Sequence, residues 1–269
     1  MDWRKFEYLR TSLEQGVAFV RVVDPNDDSF VEREHPMHRE LRDVFTALDQ
    51  DPEVAAIVFL GGDEHFCPAP RLDRLDALLK ARPEAARHLQ AEARDIVLNI
   101  ISMRKPMVAG VGMDANGIGA QLAFSSDFVI AARGISFQDS HVRLGLIAGD
   151  GGTLVWPPLV GLPRARRHIL RGQPLSSESA AELGLLEELV ETPAEVPAAS
   201  AALAEKLVKL PAAAYAASKQ ALNGWLRIGI AEAFDGPNAG QIESYEEPEF
   251  KARRDAATDK ARGSDGEQR

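Results

Sequence analysis

Four short runs of β-branched and small apolar residues, separated by stretches of helical periodicity, constrain the fold of this chain more than any other feature. They occupy residues 17–23, 55–60, Met107–Val111 and Phe128–Ala132. The run at 55–60 is apolar throughout, as in a strand covered on both faces of a sheet, and Gly61-Gly62-Asp63 ends it. Leu41, Val44, Phe45 and Leu48 recur at intervals of three and four, which predicts a helix over 38–48. A second helix is predicted over 83–102, with Pro83 in its first turn, Ile96, Val97, Ile100 and Ile101 on one side, and Lys105-Pro106 as its stop. Strand, loop and helix in repeating order imply an α/β fold with a parallel sheet and right-handed crossovers. Functional groups then belong on loops at the carboxyl ends of the strands.

With 269 residues and 45% hydrophobic composition the chain can bury one large core but hardly two. From Ser177 the composition turns to alanine, leucine and glutamate. The organisation expected is an α/β core over 1–195, a helical region over 196–262, and a polar, glycine-containing tail over 263–269 expected to be disordered. Acidic residues outnumber lysine and arginine 41 to 31, a formal charge of −10, and no basic stripe with interleaved aromatics exists. Nucleic-acid and anionic-membrane partners therefore gain no support, and a small-molecule substrate is expected. A lone cysteine, Cys67, allows no internal disulfide and fits a reducing compartment. No apolar h-region follows Met1, and no stretch approaches ~18 apolar residues, so a soluble, cytoplasmic protein is expected.

From Lys105 onward the chain carries a specific string of motifs. It runs through Lys105-Pro106-Met107-Val108-Ala109-Gly110-Val111, Gly117-Ile118-Gly119-Ala120-Gln121-Leu122-Ala123, Ile135-Ser136-Phe137, Val142-Arg143-Leu144-Gly145-Leu146 and Gly149-Asp150-Gly151-Gly152-Thr153 to Leu159-Val160-Gly161. In order and spacing this string resembles the crotonase (enoyl-CoA hydratase/isomerase) superfamily, and the resemblance extends over residues 15–260. It implies a stacked ββα superhelix with a C-terminal helical region, assembled as a homotrimer or dimer of trimers. It also implies chemistry through an enolate held by two backbone N–H groups, with no required cofactor, no metal, and a CoA thioester as the possible substrate.

By position, the first N–H donor is Ile118, with Gly117 beside it, where a turn feeds a helix N-terminus. The second falls on Pro70, in Phe66-Cys67-Pro68-Ala69-Pro70-Arg71-Leu72, and proline has no N–H to give. At the positions matching the two hydratase glutamates stand Gln121 and His141. Gln121 cannot take a proton, and is read either as a structural helix residue or as a water-orienting amide.

His141 lies nine residues before Asp150. A histidine polarised by an aspartate is expected to be a general base tuned near neutral pH. Asp139 is the competing partner, ranked below Asp150; Asp150 could instead cap the helix opening at Gly151. His141 and Asp150, with His38 opening the first helix, are similar to the catalytic group of the 6-oxocamphor hydrolase type of β-diketone hydrolase within the superfamily. His38 could equally be a helix-edge histidine with a local hydrogen bond.

The catalytic candidates are thus His141, Asp150 and His38, and the oxyanion or substrate-binding candidates are Gly117, Ile118, Gln121 and Pro70. Three functions stay open: an enoyl-CoA hydratase/isomerase-like enzyme, a CoA-independent hydrolase cleaving a C–C bond of a cyclic β-diketone, and a non-catalytic member of the fold. Arg164, Arg166, Arg167 and Arg171 are read as a solvated helix face rather than a phosphate site.

Overall fold

Each of the four apolar runs is a strand in the computed structural model, which describes residues 2–23, 36–63, 65–67 and 72–256. The runs form β2 (Val17–Val22), β3 (Ala56–Leu60), β4 (Met107–Val111) and β6 (Phe128–Ala132), side by side and parallel. Two strands that the sequence reading did not mark close the sheet at either edge. β1 (Leu9–Glu14) pairs antiparallel with β2, and β9 (Glu188–Val190) pairs parallel with β6, giving the order β1-β2-β3-β4-β6-β9. β1 alternates buried and more exposed residues, as a half-covered edge strand does. Gln15 and Gly16 both take positive φ, 49° and 81°, the geometry of a tight hairpin turn.

Ile57, Val58 and Phe59 are all fully buried, and successive strand residues point to opposite faces, so both faces of β3 are covered. On one side Phe59 meets Phe45 of α1 (Pro36–Gln50) with ring centroids 5.8 Å apart. On the other lies α9 (Val196–Leu207), so close to β4 that a Cβ on Gly110 would stand 2.5 Å from Ser200 Oγ. The expected division at 195/196 therefore falls at the start of a helix whose Val196, Ala204 and Leu207 join the core of the sheet.

α1 contains the predicted helix 38–48. The helix predicted over 83–102 is α3 (Ala85–Ser102), and Pro83 lies in the turn that separates it from α2 (Leu72–Ala81). The tail 263–269 and Pro70 lie outside the described residues. No helix among the described residues is long and apolar enough to cross a membrane.

A three-stranded second sheet positions the signature loops. In it β5 (Ala115–Asn116) pairs parallel with β7 (Ser136–Gln138), which pairs antiparallel with β8 (Leu175–Ser176). β5 delivers the chain to Gly117 and α4 (Ile118–Ser125), and β7 delivers it to Asp139, Ser140 and the short helix α5 (His141–Leu144). The Gly117 N–H donates to the Gln138 carbonyl at 3.0 Å and ties the two exits together. α6 (Gly152–Val160), preceded by Asp150, and α12 (Gly236–Ser244) complete the surroundings of these loops.

Candidate active site

Where β7 ends, Asp139 is fully buried, and its Oδ1 accepts the backbone N–H of His141 at 3.2 Å, turning the chain into α5. The same oxygen lies 2.7 Å from His141 Nδ1, while His141 Nε2 lies 3.0 Å from Asp150 Oδ2. The ring is thus held at both nitrogens, by two carboxylates. The aspartate ranked second from sequence makes the shorter contact, and Asp150 is turned to His141 rather than capping α6, whose N-cap is Gly151, with no side-chain capping bond.

Asp139 is fixed in turn. Its Oδ2 accepts from Gln121 Nε2 at 3.0 Å, and Gln121 Oε1 accepts from Trp156 Nε1 at 2.8 Å. Gln121 is fully buried between an indole that needs an acceptor and a carboxylate that needs a donor, and a primary amide serves both. It does not line the cavity described below. Gly152 is part of the same contact: a Cβ there would stand 2.4 Å from Asp139 Oδ2.

The protonation of the three groups follows from this packing. Burial alone would lower the pKa of His141, but the charges of Asp139 and Asp150, with a hydrogen bond from each, outweigh it and raise the value well above 6.5. His141 is therefore an imidazolium at neutral pH, not the near-neutral base expected from its spacing to Asp150. Burial would raise Asp150, yet the adjacent His141 charge and hydrogen bond prevail and hold it below the usual aspartate value. His38 behaves in the opposite way: burial pushes it down to about 4, only partly offset by Asp150. A neutral imidazole thus stands near an ionised pair.

These side chains meet around a cavity of about 110 Å³, lined among others by His38, Leu89, Gly117, Ile118, His141, Leu146 and Asp150. Ile118 opens α4, and the first helical bond runs from Gln121 N to Gly117 O, so the Ile118 N–H has no helical acceptor and carries the positive end of the helix dipole. A larger hollow of about 490 Å³ lies by Asp49, Lys105, Pro106 and Tyr215, near the opposite ends of β3 and β4, and contains none of the candidate residues. His38, Gly117, Ile118, His141 and Asp150 all line the smaller one. Arg164, Arg166, Arg167 and Arg171 are exposed, as expected. Among the described residues no group of three or more His, Cys, Asp or Glu stands where it could hold a metal ion.

The sequence pattern of the family described as enoyl-CoA hydratase/isomerase matches residues 12–241. The chain belongs to the enoyl-CoA hydratase/isomerase family. It is an enzyme of that family, and its fold is the crotonase fold anticipated from the motif string. A 1,2-epoxyphenylacetyl-CoA isomerase of Escherichia coli (strain K12) is 29% identical over 187 residues, covering 69% of this chain and 70% of the relative. The crystal structure of an enoyl-CoA hydratase/isomerase from Mycobacterium paratuberculosis superposes with a TM-score of 0.83 at 27% identity, covering 93% of this chain and 98% of that one. The fold is shared as well by a beta-diketone hydrolase from the cyanobacterium Anabaena sp. PCC 7120, bound to (S)-3-oxocyclohexyl acetic acid. Its TM-score is 0.79 at 20% identity, with 94% and 98% of the two chains covered.

In this family member, four buried polar residues escaped the sequence reading, three of which, Gln90, Gln241 and Tyr245, line the cavity. Gln90 on α3, Asn238 and Gln241 on α12, and Tyr245 just after it form a buried polar network beside Asp150. No motif marks them. The buried positions of α12 are all polar, Asn238, Gln241 and Ser244, and Gln90 shares the buried face of α3 with Glu92; only the packing of α12 against α3 and Gly149 brings the four together.

Proposed function

We propose that the chain transfers a proton at the carbon α to the carbonyl of a small acyl-CoA, through an enolate, with Asp150 as the proton carrier. The observation that carries this reading is the line Asp139–His141–Asp150, an imidazolium between two carboxylates, in the same cavity as the Ile118 N–H, which has no acceptor within its helix. The acyl oxygen accepts from Ile118 N–H, where negative charge grows as the α-proton leaves. Asp150, ionised and held by Nε2 of His141, takes that proton into its carboxylate and can return it to the same or a neighbouring carbon. His141 keeps its own proton and supplies a fixed positive charge beside the reacting carboxylate. Gln121 acts behind the cavity, so one carboxylate rather than two meets the substrate, which favours isomerisation over two-glutamate hydration.

The test is exchange of α-hydrogen in deuterated water. Butyryl-CoA incubated with the enzyme should gain deuterium by mass spectrometry, and Asp150→Asn should slow incorporation at least about 100-fold. Exchange that survives Asp150→Asn would overturn the assignment.

A second reading is favoured by one observation, the neutral His38 beside Asp150 in a cavity of only about 110 Å³. It is the CoA-independent cleavage of a cyclic β-diketone, with Asp150 drawing a proton from water and His38 donating to a ring carbonyl. Calorimetric titration separates the two: micromolar binding of coenzyme A and butyryl-CoA supports the first, and no CoA binding with consumption of a cyclic 1,3-diketone supports the second.

The assembly expected from the resemblance belongs with this proposal. Leu222, Trp225 and Ile228 are 71%, 78% and 78% exposed on adjoining turns, a surface suited to burial between copies. Sedimentation velocity should give the mass of three or six chains.

A further inference from the structure

The network beside Asp150 fixes where one proton must point. Gln90, Gln241 and Tyr245 all line the cavity, and Tyr245 is only 7% exposed. The orientation of each amide follows from backbone partners. The Gly149 N–H donates at 2.9 Å to Gln241, which must offer its oxygen there. Gln241 therefore presents Nε2 to the Tyr245 hydroxyl, to which it donates at 3.1 Å.

Asn238 lies 3.0 Å from the Gln90 carbonyl and 3.1 Å from the Gly149 carbonyl, acceptors that only its NH2 can serve. The same NH2 reaches the Gln90 side chain at 3.0 Å, so that contact is with the Gln90 oxygen. Gln90 thus also presents Nε2 to Tyr245, donating at 3.2 Å.

A phenol oxygen has two lone pairs and one proton. Both lone pairs of Tyr245 are occupied by amide donors whose orientations are determined elsewhere. Its proton must be donated outward, and no acceptor for it stands among the described residues. Burial, with the nearby Asp150 charge, raises the pKa of the phenol, so it keeps that proton across the physiological range.

We propose that the Tyr245 hydroxyl donates to a second oxygen of the substrate, so that the cavity selects small acyl groups or rings bearing an additional carbonyl or hydroxyl oxygen over plain hydrocarbon ones. This rests on the reading of the cavity as the substrate site, with the first oxygen at Ile118 N–H. A hydrocarbon in the same place would leave a buried hydroxyl proton without an acceptor, a loss that corresponds to roughly tenfold or more in affinity.

Calorimetry with two matched pairs tests it: acetoacetyl-CoA against butyryl-CoA, and 2,2-dimethylcyclohexane-1,3-dione against 2,2-dimethylcyclohexanone. In whichever pair binds, the wild type should prefer the dioxygenated member by roughly tenfold or more, and Tyr245→Phe should bring the ratio near one. Gln241→Glu is the second variant, and it keeps the phenol in place. One carboxylate oxygen still accepts the Gly149 N–H and the other accepts the Tyr245 proton, so the ratio should again fall near one.

A preference that persists in either folded variant overturns the proposal. So does a wild type that binds neither dioxygenated probe, or binds it no tighter than its partner. Tyrosine-dependent preference in the diketone pair alone, with no CoA binding, would keep the Tyr245 assignment and sink the acyl-CoA reading. Equal, tyrosine-independent binding of the two thioesters would do the reverse.

Discussion

At the scale of single residues, the least expected feature is that the position matching a hydratase glutamate is a glutamine that never touches the cavity. Gln121 accepts from Trp156 and donates to Asp139, and a glutamate in its place would face the Asp139 carboxylate with no proton to offer. Gln121→Glu should therefore lower stability by about 2–3 kcal/mol in urea unfolding, and slow rather than restore hydratase chemistry. Stability unchanged by this substitution would contradict the structural role given to Gln121. The sequence identified Gln121, His141, Asp150 and His38 as the residues to examine. It did not tell the amide's role, because Trp156 lies 35 positions away and only the folded contact shows which group needs a donor and which an acceptor. For the same reason Asp139 ranked second: a carboxylate two residues from a histidine reads as a turn residue until the ring is seen to face it.

At the scale of elements, the loop before α6 packs tightly against α12, and α1 packs against α3 along a seam that buries a carboxyl group. Gly149 lets α12 approach, since a Cβ there would stand 2.5 Å from Gln241 Oε1, 2.7 Å from the Pro237 carbonyl and 2.9 Å from Asn238 Cα. Gly149→Ala should cost about 2 kcal/mol of stability by overpacking. It should also weaken the Tyr245-dependent preference in the same calorimetric assay; a variant as stable as wild type would contradict the packing described. The glycine run is legible in sequence as a loop, but the reason for Gly149 lies some ninety residues further along the chain, and that for Gly152 lies upstream at Asp139.

In the seam between α1 and α3, burial lifts the pKa of Glu92 to about 7, with Arg39 and Arg42 pulling it back only in part. The folded state thus holds this proton more tightly than the unfolded chain does. Its contribution is complete below the ordinary glutamate pKa and is lost as pH rises from there through about 7. Glu92→Gln should raise the Tm by a few degrees at pH 8 and leave it near wild type at pH 5; a gain of equal size at both would exclude this origin.

For the whole molecule, the sequence reading captured the four central strands, most of α1 and all of α3, because continuous apolar runs and helical spacing are local signals. It missed β1 and β9. One alternates with charged residues at a sheet edge, and the other is three residues long within an alanine- and glutamate-rich stretch. It also could not see that α12 returns Gln241 and Tyr245 to a cavity whose chemistry is assembled from residues 38 to 150. The charge at the centre of that assembly decides how the site works, and nitrogen-15 NMR of the imidazole of His141 reads it directly. Both ring nitrogens should carry protons at neutral pH, and kcat/KM should show no ionisation near 6.5. A neutral His141 tautomer that titrates near 6.5 would contradict the account and return His141 to the role of a simple general base.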